Sequence, residues 1–267
     1  MKRWLLVLGI YAAVAVCAAF GVLGADPMRQ DGARLLEPPG AHALLGTDHL
    51  GRDVFAQTLH GARVALLVGG FAAGLAVALG AGLGVLAGWR RGWFDALAGW
   101  LAGAVAAVPS VLLILGLAQI LGRGFAAVYL AVGLASWVQC FRIVRAETLR
   151  LADREFVLAA RAAGASDRRI LLHHLLPNLA PLLLVQFALH FVFAVKVEVV
   201  VSFLGLGLPL GAPSWGAMIG HAPDDLAQHV WWPLAAATLA MAGLVLAVHR
   251  LADGLRERLD PAEAPAA

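Results

Sequence analysis

Long uninterrupted apolar runs constrain this chain more than any other feature of its sequence. Of its 267 residues, 61% are hydrophobic and only 14% are charged, and the mean hydropathy is +0.82. Several runs exceed the ~18–20 residues that an α-helix needs to cross a bilayer. A transmembrane β-barrel would instead alternate apolar and polar residues with a period of two. The sequence therefore excludes a soluble domain and predicts an all-α integral membrane protein.

The apolar runs predict about six transmembrane helices. The first run follows Met-Lys-Arg, as the apolar core of a signal peptide also does. Its length of about 21 residues exceeds the ~7–15 expected of a signal peptide, which favours a retained helix. The predicted spans are residues 4–24, 62–88, 95–121, 124–143, 178–206 and 229–250.

The distribution of arginine and lysine predicts the orientation of these helices. With the amino terminus inside, fourteen of the 20 basic residues lie in cytoplasmic segments and five lie in outer segments, while Lys196 lies within a span. Seven of the fourteen are arginines between Arg142 and Arg169. Both termini are therefore expected in the cytoplasm. Because topology accounts for the net charge of +3, nucleic-acid binding is not needed to explain it.

The spans divide the chain into three parts. Residues 1–61 hold the first helix and an outer loop, residues 62–252 form the main membrane domain, and residues 253–267 form a cytoplasmic tail. Glycines four apart in the second span favour close helix packing, within the bundle or at a subunit interface; they are Gly70, Gly74, Gly80, Gly84 and Gly88. Glycines and prolines break the outer end of the fifth span; they are Gly205, Gly207, Pro209, Gly211 and Pro213.

A polar segment at residues 144–176 is the largest predicted cytoplasmic surface. Its first short helix, which Asp153 could cap, presents a narrow face of mostly small residues: Phe156, Ala159, Ala160 and Ala163. Gly164 permits a positive φ before a second helix, which Ser166 could cap. A leucine stripe then precedes Pro177; its members are Leu171, Leu172, Leu175 and Leu176. Such a segment could fit a groove on a partner or lie on anionic lipid.

The same segment resembles the cytoplasmic loop of permease subunits of binding-protein-dependent ABC importers. That family carries Glu-Ala-Ala, three residues, Gly, nine residues and then Ile-x-Leu-Pro. The matching positions in this chain are Ala159, Ala160, Gly164, Leu176 and Pro177. Leu158 replaces the glutamate and His174 replaces the isoleucine. With leucine in place of the glutamate, the segment resembles the peptide and nickel branch of the family.

Three further stretches resemble the second permease of dipeptide, oligopeptide and nickel importers: "LLGTDHLGRDVF" at 44–55, "SFLGLG…P…SWGAMI" at 202–219 and "DGLRERLDP" at 253–261. The resemblance implies a type I ABC importer permease-like bundle in the bacterial inner membrane. It implies as partners a second, different permease subunit, two ABC ATPase subunits and an extracytoplasmic substrate-binding protein, besides membrane lipid. ATPase coupling would fall on Phe156, Ala159, Ala160, Ala163, Gly164, Leu176 and Pro177.

The implied function is import of di- or oligopeptides or a similar small solute, with nickel chelates as the alternative. The chain has only two lysines, Lys2 and Lys196, and neither follows a glycine, so it contains no P-loop. ATP hydrolysis is therefore expected on separate subunits. The sequence also lacks a zinc-helix motif and a nucleophile elbow, and its nine histidines lack metal-ligand helix spacing. We expect a transport subunit without enzymatic activity, cofactor or metal site.

Charged residues towards the outer side supply the remaining candidates. Lys196 and Glu198 lie within the fifth span, where ionisable groups either line a pathway or snorkel to the interface. If they couple an ion, the chain would instead be a secondary transporter or channel, and dependence of uptake on a proton gradient rather than on ATP would reveal it. A structural scaffold without a pathway is a third alternative. In the outer loop, we expect Asp48, Arg52 and Asp53 to form exposed salt bridges or helix caps and to make no direct contact with substrate.

Overall fold

The computed structural model describes residues 2–21, 26–122, 124–205 and 213–259. Within these ranges the regular structure is helical, apart from an isolated antiparallel bridge between Thr47 and Asp53. In chain order the helices are α1 (Lys2–Ala19), α2 (Val54–Arg90), α3 (Gly92–Ala106), α4 (Ser110–Leu121), α5 (Phe125–Ala152), α6 (Glu155–Ala162), α7 (Asp167–Ile170), a π-helical turn (Leu171–Leu175), α8 (Leu176–Phe203), α9 (Trp215–Gly220), α10 (Ala222–Ala227) and α11 (Trp232–Leu259).

Four helical stretches are long and apolar enough to cross a membrane: Val54–Arg90, Phe125–Ala152, Asp167–Phe203 and Trp232–Glu257. The pair formed by α3 and α4 makes a fifth span if its two halves count together. Helix α1 is apolar but shorter, and it packs into the bundle, where the Tyr11 hydroxyl donates a hydrogen bond to the Ala240 carbonyl at 2.7 Å. The predicted all-α membrane fold is confirmed, and about six membrane helices remain compatible with it.

The predicted span 95–121 departs most from expectation, because it is two helices joined at a bend of 92°. Helix α3 ends at Ala106 and α4 begins at Ser110, with Pro109 in an extended conformation (φ −53°, ψ 125°) between them. Proline has no amide donor, and it disfavours helical geometry in the residue before it, here Val108. The apolar composition hid this break, since only Pro109 and Ser110 interrupt an otherwise apolar run from residue 96 to residue 118.

Other spans also have different ends from those predicted, as α2 and α5 show. Helix α2 begins at Val54, eight residues before the predicted start at residue 62, because the Asp53 side chain accepts a hydrogen bond from the Phe55 amide (2.9 Å) and caps the helix there. Helix α5 runs past residue 143 to Ala152. Polar side chains at these helix ends do not stop the helical backbone, although they lower the local hydropathy.

Glycines on α2 bring its backbone into contact with α5. A Cβ atom at Gly80, Gly84 or Gly88 would lie 2.6–2.9 Å from the nearest atoms of α5, which include backbone atoms at all three positions. Close packing within the bundle is therefore confirmed for these three. A Cβ at Gly70 or Gly74 would meet nothing within 4 Å, so this second set of glycines four apart faces a surface that the chain itself leaves open.

The bundle has two ends with different chemistry. At the first, named the loop end, residues 26–53 meet α9 and α10. Two tryptophans hold this end together: Trp215 donates its indole N–H to the Thr58 carbonyl and Trp232 donates to the Thr47 carbonyl, each at 2.9 Å. At the second, named the arginine end, α6 and the residues just before it lie beside the turn between α2 and α3.

Part of the predicted break after the fifth span lies outside the described residues, namely Gly207, Pro209 and Gly211, as do residues 260–267 of the predicted tail. On the described side of that break, α8 ends at Phe203 and Gly205 has a φ of +72°. The described residues resume at Pro213, and the hydroxyl of the next residue, Ser214, accepts a hydrogen bond from the Ala217 amide (3.0 Å) and caps α9.

Candidate functional site

The predicted coupling segment, residues 144–176, begins as the end of α5 and then forms two short helices, α6 and α7, joined at Gly164. Helix α6 ends in a Schellman motif, in which the Ala165 amide donates to the Ala160 carbonyl and the Gly164 amide donates to the Arg161 carbonyl, both at 3.0 Å. This motif places one residue in the left-handed region, and Gly164 has a φ of +81° as the sequence predicts. The joint is therefore a fixed turn that satisfies the last carbonyl groups of α6.

The inner side of the coupling segment belongs to the protein core. Val157, Ile170 and Leu175 are fully buried, and they share one cluster with residues of α5 and α8 such as Val144 and Leu179. Burying three such side chains contributes several kcal/mol, at ~1.5–3 kcal/mol for each. The segment is consequently seated on the bundle by its own apolar contacts.

The outer side of the segment is open along α6. Phe156 is 39% exposed and Leu158 is 50% exposed, and Ala159 and Ala163 are exposed beside them. Ala160 is half-buried and packs against the inner cluster instead. The predicted face of small residues is thus divided, because a helix that buries Val157 also turns Ala160 inwards, three residues further on.

Of the two predicted caps of the segment, one is wrong and the other is right in its position only. Arg154, not Asp153, is the N-cap residue of α6, and its side chain makes no capping hydrogen bond. Asp153 instead pairs with Arg91, whose terminal nitrogen lies 2.9 Å from a carboxylate oxygen. Ser166 occupies the N-cap position of α7, but its hydroxyl does not cap the helix.

A π-helical turn lies between α7 and α8, over Leu171–Leu175. A π-turn inserts one extra residue and shifts the helix faces around it, and such turns are frequent at functional sites. Leu175 is fully buried here, whereas Leu172, in the same predicted stripe, is 47% exposed. Leu176 is half-buried and Pro177 is exposed in the first turn of α8, where the missing amide of a proline costs no hydrogen bond.

At the loop end, Asp48 is the centre of a buried polar network. Its carboxylate accepts hydrogen bonds from the Leu50 and Arg52 amides (both 2.9 Å), from the Arg52 guanidinium (2.7 Å) and from Gln57 (3.0 Å). Burial raises the pKa of the Asp48 carboxyl, but these hydrogen bonds and the Arg52 charge outweigh it, so that the pKa lies below its usual value. The ion pair and the Asp53 cap are both present, yet the pair is buried where an exposed one was expected.

Two histidines from separate loops meet beside this network, which the sequence reasoning missed. The His49 and His221 rings are 4.5 Å apart between centroids, and His49 Nδ1 lies 3.9 Å from a carboxylate oxygen of Asp225. His49 lies within the first outer motif, in "GTDH", and His221 comes just after the second, in "GAMIGH". That shared location in or beside the outer motifs was the available signal. Among the described residues, no group of three or more His, Cys, Asp or Glu side chains has metal-binding geometry.

The structure separates the two pathway candidates in the fifth span. Lys196 is exposed on the surface of the chain, whereas Glu198 is buried and accepts a hydrogen bond from the Ser202 hydroxyl at 2.8 Å. A Cβ at Gly216 would lie 3.1 Å from a Glu198 carboxylate oxygen, so Glu198 also lies against α9. The two charges therefore do not form a pair, and Glu198 contributes to the contact between α8 and α9.

The architecture, a multi-pass helical bundle with a seated helical segment at one end, is that of a membrane transport subunit. The family described as "Binding-protein-dependent transport system inner membrane component" matches residues 80–261, and the chain belongs to it.

Several curated proteins are similar over most of their length. A putative peptide transport system permease protein of Brucella suis biovar 1 is 38% identical over 256 residues, which covers 96% of this chain and 86% of that protein. The di/tripeptide transport system permease protein DppC of Pseudomonas aeruginosa is 36% identical, covering 93% of this chain and 84% of that protein. The dipeptide transport system permease protein DppC of Bacillus subtilis is 35% identical, covering 84% and 70%.

A solved structure shares the fold. The inward-facing methionine ABC transporter MetNI matches with a TM-score of 0.62 and 19% identity, covering 77% of this chain and 97% of the matched chain. The expected membership of the binding-protein-dependent ABC permeases, in their peptide branch, is confirmed by these relatives together with the family match.

Proposed function

We propose that this chain is one of two permease subunits of an ATP-driven importer for di- or oligopeptides. Relatives named as peptide, di/tripeptide and dipeptide permeases support the solute class. The observation that carries the mechanism is the coupling segment, which is seated on the core by Val157, Ile170 and Leu175 while one side of α6 stays open. When a partner bound to the open side moves such a segment, the buried contacts transmit the movement to the bundle.

The proposed partner at the arginine end is an ABC ATPase. Phe156 and Leu158 supply exposed apolar area, while Ala159 and Ala163 beside them are small enough to let a groove approach the helix backbone. Exposed arginines on the segment would favour an acidic rim around that groove; they are Arg154, Arg161, Arg168 and Arg169. Leu176 and Pro177 lie at the start of α8, where the movement of the segment would enter a membrane helix.

The orientation that the arginines favour decides on which side of the membrane each remaining partner would bind. The arginine end would face the cytoplasm, with both termini on that side, and the loop end would face outwards. A second, different permease would complete the pathway, a second ATPase would serve it, and a substrate-binding protein would deliver the peptide at the loop end. ATP binding would then close the ATPases against the coupling segments and open the pathway outwards.

The proposed docking is tested best at Ala159. Ala159→Asp places a charge on the open side of α6 without entering the core, since this alanine is exposed. We expect normal membrane insertion, loss of the ATPases on co-purification and loss of dipeptide uptake, because an unpaired charge would be buried at the interface. Ala159→Ser keeps a small side chain and should retain both. Full association and uptake in the aspartate variant would show that α6 does not dock the ATPase.

Energy coupling has a separate test. Proteoliposomes that contain the complete complex and enclosed ATP should accumulate a labelled dipeptide when the binding protein is present outside. Dissipating the proton gradient should leave this uptake unchanged. Uptake that follows the proton gradient without ATP would make the chain an ion-coupled carrier, and Lys196 and Glu198 would then be its candidate charges.

A further inference from the structure

Three side-chain contacts join the turn between α2 and α3 to the coupling segment and the end of α5. Arg91 contacts both carboxylate oxygens of Asp153, at 2.9 and 3.2 Å. The Arg145 guanidinium makes two hydrogen bonds to the carboxylate of Asp95, in the first turn of α3. The third contact places the Arg161 guanidinium 5.0 Å from the centroid of the Trp89 ring. We name these three pairs the corner contacts.

The backbone at this corner is held in an unfavourable conformation. Arg91 is the only residue between α2 and α3, and its φ is +53°. Residues other than glycine rarely adopt a positive φ, and such strain persists where surrounding contacts fix it and often marks a functional position. The Arg91 amide still donates to the Ala87 carbonyl at 3.0 Å, so the strained residue is fixed by its backbone as well as by its side chain.

Helix α3 has few other attachments to the bundle. Its buried residues are the two small ones Ala98 and Ala102, while large apolar side chains such as Trp93 and Trp100 are mostly exposed. Little apolar area therefore fixes α3 against α2 and α5. The ion pair between Asp95 and Arg145 is therefore important for the position of α3, since a bidentate arginine–carboxylate pair fixes direction as well as distance.

We propose that the corner contacts transmit movement of the coupling segment to α3, with Arg91 as the positioning residue. This inference rests on the proposed function, in which an ATPase moves α6 and α7. According to this inference, the α2–α3 turn and the coupling segment move as one body, and α3 transmits the displacement to the bend before α4. Asp153 is suited to this role because it lies two residues before α6 begins, and Arg161 because it lies in the last turn of α6.

The test exchanges charges within the complete complex. Arg91→Asp and Asp153→Arg each place like charges at the corner, whereas the double variant restores an opposite pair in reverse order. Both single variants should still co-purify with the ATPases, but peptide taken up per ATP hydrolysed should fall about two- to five-fold, the range that exposed ion pairs support. The double variant should recover. Arg90→Asp is the matched control, since exposed Arg90 makes no ion pair among the described residues.

A cross-link tests whether the corner moves as one body. Arg91→Cys with Asp153→Cys, in a Cys17→Ser background, can be joined by a short bifunctional reagent, and uptake should survive the joining. Arrest of uptake by the cross-link, or failure of the charge-exchanged double variant to recover, would overturn the proposal. A purely structural role would lower complex abundance without changing peptide uptake per ATP, and that result would also overturn it. If the wild-type chain holds no ATPase at all, the proposed function fails together with this inference.

Discussion

Gly164 is the residue whose backbone the coupling segment depends on most. Its φ of +81° makes any L side chain other than asparagine or aspartate costly there, by about 1–2 kcal/mol. A Cβ added at this position would nevertheless meet nothing within 4 Å. Within the chain itself, therefore, backbone strain opposes substitution and crowding does not.

Two substitutions of similar size separate strain from crowding at Gly164. Gly164→Val should insert normally but lose ATPase association and uptake, because valine resists a positive φ. Gly164→Asn should keep most of both, since asparagine tolerates the left-handed region. Co-purification at matched expression measures the difference. Equal loss in both variants would locate the cause in a partner groove too narrow for any side chain.

The Asp48–Arg52 pair should matter more than an exposed ion pair, because its two side chains are 6% and 10% exposed. Removing one partner of a buried pair leaves an uncompensated charge, at a cost of about 3–5 kcal/mol. Asp48→Ala should therefore lower the thermal stability of the purified protein markedly. Asp48→Ala combined with Arg52→Leu should cost less than Asp48→Ala alone, and a further loss of stability in the double variant would contradict this account.

The histidine pair at the loop end predicts acid sensitivity. Burial, then the neighbouring His49 and the Arg52 charge, lower the pKa of His221, while Asp225 and Asp48 act in the opposite direction. A histidine whose pKa is lower in the folded protein binds a proton more readily once unfolded. The free energy of unfolding should therefore fall as the pH drops through the usual histidine range near 6.5.

Thermal unfolding measured between about pH 7.5 and 5.5 checks this expectation. His221→Gln should flatten the pH dependence relative to the wild type. A pH dependence identical in the wild type and the His221 variant would show that the pair does not sense acid.

At the scale of the elements, the contact between α2 and α5 is the least adaptable part of the bundle. Its closest approaches run from glycine to backbone and Cβ atoms, and neither kind of atom can move by a change of rotamer to make room. Substitutions on the two glycine stripes of α2 should consequently behave very differently, although the sequence spacing of the stripes is the same.

Gly84→Val and Gly74→Val form the matched pair. At Gly84 a Cβ would lie 2.9 Å from the Phe141 carbonyl oxygen, so α2 and α5 would have to separate, at a cost of about 1–3 kcal/mol or more. At Gly74 the Cβ would meet nothing within 4 Å. Thermal stability of the isolated chain should fall in the first variant and stay near wild type in the second. If Gly74→Val instead reduced only assembly with the partner permease, the open stripe would be a subunit interface.

Some elements could be predicted from the sequence, and there are physical reasons why the others could not. Long apolar runs require helices in a bilayer, and the requirement for a positive φ marks Gly164 as a turn. Hydropathy does not register a single proline in an apolar run, which is why the bend at Pro109 was missed. It also averages across polar helix ends, which is why α2 and α5 are longer than predicted. The pairing of Asp153 with Arg91 depends on tertiary contacts and could not be read from local spacing.

For the whole molecule, the distribution of arginines predicts which side each end faces. A reporter inserted near Ser166 should read as cytoplasmic and one inserted near Gly40 as external, because basic residues are retained on the cytoplasmic side. A reporter fused after Ala267 should also read as cytoplasmic. Reporters active only inside and only outside the cytoplasm, compared at matched expression, measure this. An external signal at Ser166 would contradict both the orientation and the proposed ATPase docking.

The glycine contact between α2 and α5 limits which movements the transporter can use. Two helices that touch through their backbones over Gly80, Gly84 and Gly88 cannot slide or roll past one another without first separating. They therefore act as a fixed axis through the subunit, and alternation between inward and outward access has to come from the parts around that axis. Under the proposed function those parts would be the lightly attached α3, the bend leading to α4 and whichever face meets the second permease. Substitutions that change the transport rate without changing stability should concentrate there.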